Sequence, residues 1–124
     1  IAVASAMSLR DNYRYPKQDF AGALGYVSTH RADGDPVVTA GAATFPYRDF
    51  YRQPWKPVTS RADIDAVRTL GRPVWVVYTL ADYLEAGAPQ VMKTLRDDCR
   101  VEAVFRGTVA NGDVTVCVLP PTRS

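Results

Sequence analysis

Few side chains in this sequence are of a type and spacing that could do covalent chemistry. The single imidazole is His30, so a Ser or Cys nucleophile would have no other imidazole to serve as its base, and no G-x-S-x-G elbow accompanies it. His30 falls at the end of an expected helix, where a ring nitrogen bonds the last carbonyls and favours the helix dipole. Paired carboxylates occur at Asp33/Asp35 and Asp97/Asp98, both in stretches that read as turns, where Asp is favoured for its bonds to nearby backbone. No glycine fingerprint for phosphate is present, and the one His and two Cys are too dispersed for a metal site. We therefore expect no catalytic residue, no metal and no cofactor in this chain.

The cysteines pose a separate question. Val101–Arg106 and Val114–Leu119 look like the arms of a hairpin around Asn111-Gly112, a type I′ turn signal. A two-residue loop there sets Arg106 opposite Cys117. Cys99 would then lie seven residues further along, about 23 Å away at ~3.3 Å per residue. Bridged cysteines have Cα atoms within about 7 Å, so this register predicts two buried free thiols. It also puts Val101, Ala103 and Phe105 on one face with Val114, Val116 and Val118, and Glu102, Val104 and Arg106 on the other with Thr115, Cys117 and Leu119.

The elements that would position any site can be read in order. Pro16 suits the first turn of a helix, with Asp19 near its N-terminus, and Phe20, Ala23, Leu24 and Val27 form its apolar stripe. Asp33-Gly34-Asp35-Pro36 is a turn, and Val37–Ala40 a short buried strand. A short helix is expected near Tyr47–Arg52, then an extended piece between Pro54 and Pro57. Ser60 and Asp63 resemble a capping box for a helix with Ile64, Val67 and Leu70 inward and Gly71 at its end. Val74–Thr79 is apolar throughout, as in a strand covered on both faces. Thr79 with Asp82 starts another helix, and Pro89 a further one with Val91, Met92 and Leu95 inward. Strands alternating with helices imply parallel crossovers. The expected fold is α/β, a three-layer sandwich with a small mostly parallel sheet and a C-terminal antiparallel hairpin. Residues 13–120 would form one domain, with 1–12 as a lead-in and 121–124 as a tail.

Open α/β sheets bind ligands at the carboxyl ends of their parallel strands. That rule nominates Thr39, Gly41, Tyr47, Arg48, Tyr51, Thr79, Asp82 and Tyr83 as ligand-binding residues. Aromatic rings beside Arg48 and Arg52 suit a sugar or a phosphate. The competing reading makes Phe45, Phe50 and Trp55 core and Tyr47 and Tyr51 rim; a third has the aromatic patch dock on a partner domain.

Composition narrows the classes further. The 124 residues, 47% hydrophobic and 23% charged, suffice for one ordinary core. A net charge of +2 with scattered Arg gives no footprint for nucleic acid. The longest apolar stretches, Ile1–Met7 and Val74–Tyr78, fall short of the roughly 20 residues that span a bilayer.

Four segments together carry a family resemblance: Tyr15–Ala23, Gly34–Val38, Phe45-Pro46-Tyr47 with Tyr51, and Val74–Thr79. Over about Tyr13 to Leu119 the chain resembles the C-terminal extracytoplasmic domain of bacterial membrane glycosyltransferases, in the dolichyl-phosphate-mannose protein mannosyltransferase and aminoarabinose transferase group. In that family a transmembrane bundle carries the reaction, a polyprenyl-phosphate-linked sugar is the donor, and the catalytic acidic residues lie in an early loop that has no counterpart here. The resemblance implies a non-catalytic accessory domain on the periplasmic face of the inner membrane. Its partners would be an upstream transmembrane bundle of the same chain and a lipid-linked sugar or glycan acceptor. It also makes Ile1–Met7 either a short strand or the remnant of a junction after a membrane helix, consistent with a first residue other than Met. Two other readings stay open: a ligand-binding or protein-interaction module of another protein, and a small stand-alone hydrolase whose activity would depend on Asp82.

Overall fold

A computed structural model describes residues 19–107 and 113–121. The expected Asn111-Gly112 turn, Pro16, Ile1–Met7 and residues 122–124 of the tail lie outside them.

The chain folds as an α/β sandwich around one mixed five-stranded sheet. In order the elements are α1 (Phe20–His30), β1 (Val37–Ala40), a 3-10 turn (Gly41–Ala43), a π-turn (Pro46–Phe50), β2 (Lys56–Val58), α2 (Arg61–Arg68), β3 (Val74–Thr79), α3 (Ala81–Gly87), α4 (Pro89–Asp98), β4 (Arg100–Phe105) and β5 (Val114–Leu119). The strand order is β2-β1-β3-β5-β4. β1 runs parallel to both β2 and β3, while β5 is antiparallel to β3 and β4 to β5.

β3 shows why its sequence does not alternate. Val74 and Val76 join Ile64 of α2, Leu84 of α3, and Val91, Met92 and Leu95 of α4 on one face. Trp75 and Val77 join Phe20, Ala23 and Val27 of α1 on the other. Both faces are covered, so both must be apolar.

Local chemistry sets the helix boundaries. Asp19 is the N-cap of α1, its carboxylate accepting from Gly22 N at 2.8 Å. Ser60 caps α2 by accepting from Asp63 N, and Asp63 reaches back to Thr59 N and Oγ1. α2 ends at Arg68, before Leu70, which is 65% exposed and does not join the inward stripe as the spacing suggested. Thr79 does not start α3. Its hydroxyl donates to Asp113 O, and Leu80 makes the turn with φ 52°. Asp97 and Asp98 end α4 rather than a turn, paired with Lys93 and Arg68.

Two further expectations, for the hairpin and for the cysteines, are corrected. The hairpin register is not the one a two-residue loop would impose. Phe105 pairs with Val114 and Val101 with Cys117, so the register moves by four residues. An even shift preserves the faces, and Ala103 and Phe105 do pair with Val116 and Val114. An irregularity between Val101 and Ala103 then moves Val101 to the side of Cys117. The second correction follows from the first. Cys99, at the end of α4, is brought to Cys117 with a Cα–Cα distance of 5.5 Å, and the two form a disulfide rather than free thiols.

The aromatic segment also differs from expectation. Pro46 O accepts from Tyr51 N, an i→i+5 bond, so the rings are phased differently from an α-turn. Tyr47 is fully buried, whereas Phe45 and Phe50 are 58% and 39% exposed. Tyr47 Oη donates to Phe20 O at 2.8 Å, tying the π-turn to the first turn of α1. Burial pushes this phenol's pKa far up, so it serves as a neutral donor. Tyr47→Phe is expected to lower stability by about 1 kcal/mol with an unchanged urea m-value, the cost of one buried hydrogen bond. Equal midpoints in urea for the two proteins would show that the bond contributes nothing.

Candidate functional site

The carboxyl ends of the parallel strands lie at Ala40, Val58 and Thr79. A hollow of about 230 Å³ sits beside the first two, lined by Gly41, Ala42, Val58, Thr59, Tyr83, Leu84, Gly87 and Ala88. The backbone turns sharply here. Gly41 leaves β1 with φ 63°, and a Cβ at that position would meet the Leu84 side chain at 3.4 Å. Leu80 leaves β3 in the same left-handed region, which costs an L-residue about 1–2 kcal/mol.

Of the eight nominated residues, Gly41 and Tyr83 line this hollow, and Tyr83 is 75% exposed. Asp82 is exposed in the first turn of α3. Thr39 is buried and shares a 3.0 Å hydroxyl contact with Thr44. Thr79 and Tyr47 are buried, their hydroxyls donating to backbone carbonyls. Tyr51 is half-buried against Tyr47 and Phe50. Arg48 is exposed, bonded to Asp49 and lying 5.2 Å over the Phe45 ring. The Arg48–Asp49 hydrogen bond holds the Asp49 carboxyl below its ordinary range. The nominated residues therefore fall into a hollow edge (Gly41, Tyr83), a buried hydroxyl set (Thr39, Tyr47, Thr79) and a separate aromatic–arginine patch (Arg48, Tyr51), with Asp82 outside all three.

His30 takes the expected structural position, with Nδ1 2.8 Å from Tyr26 O and its ring stacked on Tyr26 at 3.9 Å. Among the described residues no group of three His, Cys, Asp or Glu could hold a metal ion. None of the described helices is long and apolar enough to cross a membrane.

A second concavity escaped the sequence reading because it lies at the opposite ends of the strands. It has a volume of about 530 Å³ and sits beside the beginnings of β1 and β2. On its wall, Asp35 is 4% exposed and organises a polar cluster. Its carboxylate accepts from Ala32 N at 3.1 Å, Trp75 Nε1 at 3.3 Å and Arg72 Nε at 3.0 Å. Burial alone would raise this carboxyl's pKa. The bonds from Ala32, Trp75 and Arg72 outweigh burial and leave it below the ordinary value.

Compared with known proteins, the chain matches no family model, no curated protein and no solved structure.

Proposed function

We propose that this chain is an accessory, non-catalytic extracytoplasmic domain of an integral-membrane glycosyltransferase that uses a polyprenyl-phosphate-linked sugar. The observation that carries the reading is the Cys99–Cys117 disulfide. Such bonds persist in the periplasm and outside the cell and are rare where thioredoxin and glutathione act. The bridge thus favours the oxidising side of a membrane, where the resemblance puts this domain. The Gly34–Val38 segment, part of that resemblance, contains the buried Asp35 on which the polar cluster is built.

The test uses the native protein. An antibody to the domain is applied to fractionated source cells lysed in a thiol-blocking reagent. The expected band is several times larger than 13.6 kDa, needs detergent for extraction, and gains reactive thiols only after reduction. A small band in the soluble fraction would sink the proposal.

The exposed patch of Phe45, Phe50 and Arg48 favours a second reading, a module that docks on another protein. A small soluble native protein that co-purifies with one stoichiometric partner, and releases it on Phe45→Ser, would support that reading instead.

A further inference from the structure

We infer that the pocket at the beginnings of β1 and β2 binds a small organic anion with an apolar body, of the phosphate monoester or carboxylate class. The inference is independent of the glycosyltransferase reading.

The charged groups on the pocket wall are Arg31, Lys56 and Asp35. Asp35 is already committed, because its carboxylate is shared between Arg72, Trp75 and Ala32. The two cations therefore stand in excess. Arg31 follows α1, where its backbone N–H closes the helix on Val27 O. One guanidinium nitrogen, Nη2, donates to Asp35 O at 2.6 Å. Its Nε is buried and has no hydrogen-bond partner. A buried donor on a charged group is costly unless an acceptor meets it. An anionic oxygen bound beside this guanidinium would supply that acceptor and neutralise the charge.

The remaining wall selects for an apolar body. Trp55, Val67 and Leu70 line the same space. Leu70, 65% exposed on the turn beyond α2, adds apolar surface to the rim of this pocket. Gln53 adds a side-chain amide on the wall. Pockets of this size, mostly apolar with a few convergent polar groups, are typical of small-molecule sites.

The protein has two tryptophans, so its indole N–H signals form a simple pair in a ¹H–¹⁵N spectrum, assigned with Trp55→Phe. Titration of the full chain with hexyl phosphate and with hexanoate is expected to move the Trp55 signal saturably for at least one of them. The stronger of the two names the head group. Binding of 1-hexanol and of inorganic phosphate is expected to be at least tenfold weaker, because each lacks one half of the recognised chemistry. Arg31→Met should weaken the anion at least tenfold. Because Arg31 also braces Asp35 O, Lys56→Ser serves as the second variant. Lys56 is exposed at the edge of the sheet, so its loss should leave the melting temperature unchanged and weaken the anion about threefold or more. The proposal is overturned by any of three results: no saturable shift with either anion, hexanol binding as well as the stronger anion, or unchanged affinity in Lys56→Ser together with any folded Arg31→Met protein.

Discussion

Replacing Cys99 and Cys117 together by serine should destabilise the domain by about 3 kcal/mol, the loss expected for a closed loop of this length. The bridge spans 18 residues and joins the end of α4 to β5, next to the central strand β3. Both cysteines are buried in the apolar cluster that α2, α3 and α4 form against the sheet. Unfolding the oxidised chain therefore leaves α4, β4 and β5 tethered, while the serine protein gains their full freedom. For a domain of this size the melting temperature should fall by roughly 12 °C. Reductant should shift the native protein to a similar extent and leave the serine protein unmoved. Two additional hydroxyls in an apolar cluster add to the cost, so a Cys99→Ala, Cys117→Ala protein separates the cross-link from the polarity. If both double variants melt with the native protein, the bridge does not stabilise the fold.

The same disulfide shows where sequence reasoning stopped. α4, with Val91, Met92 and Leu95 inward, and the two-faced strand β3 are legible because their signals are local: a proline at the first turn, a helical period, an unbroken apolar run. The Cys99–Cys117 contact depends instead on hairpin register. Asn111-Gly112 invites a two-residue turn, and only the pairing of Phe105 with Val114 and the irregularity at Glu102 bring Cys117 back to Val101 and so to Cys99. β2 is hidden for a different reason. It has three residues, one a proline, and buries only Val58, so it carries no period at all. The aromatic segment was legible as a cluster but not in phase. The i→i+5 turn after Phe45 decides that Tyr47 enters the core, and its hydroxyl partner is 27 residues away.

The candidate site follows the same division. The carboxyl-end rule finds the hollow at Gly41 and Tyr83, because strand direction is readable from the alternation of strands and helices. The pocket at Arg31 and Lys56 is not readable, because its polar wall is assembled across the fold. Asp35 has every local mark of a turn aspartate between Gly34 and Pro36. Its burial comes from Arg72 and Trp75, 37 and 40 residues later, which no local pattern connects to it.

That assembly makes Asp35 the second position where a single change should have a large effect. Asp35→Asn keeps the shape but replaces one carboxylate oxygen by an amide that cannot accept. At least one of Ala32 N–H, Trp75 Nε1–H and the Arg72 guanidinium then loses its acceptor, and the Trp75 N–H is buried away from water. The expected cost near neutral pH is about 2 kcal/mol, less than for a fully buried ion pair because Arg72 is half exposed and rehydrates. The pH dependence distinguishes a carboxylate effect from a packing effect. The folded-state pKa of Asp35 lies below its ordinary value of 3.8. Its contribution is therefore fully present above the unfolded-state value and is lost as pH falls toward and through the folded-state value. The stability gap between native and Asp35→Asn proteins, measured by urea unfolding, should stay constant from neutral pH down to about pH 5 and close below about pH 4. A gap that persists unchanged to pH 3 would mean that the asparagine acts through shape alone, and that the Asp35 carboxylate is not what holds Arg72 and Trp75 together.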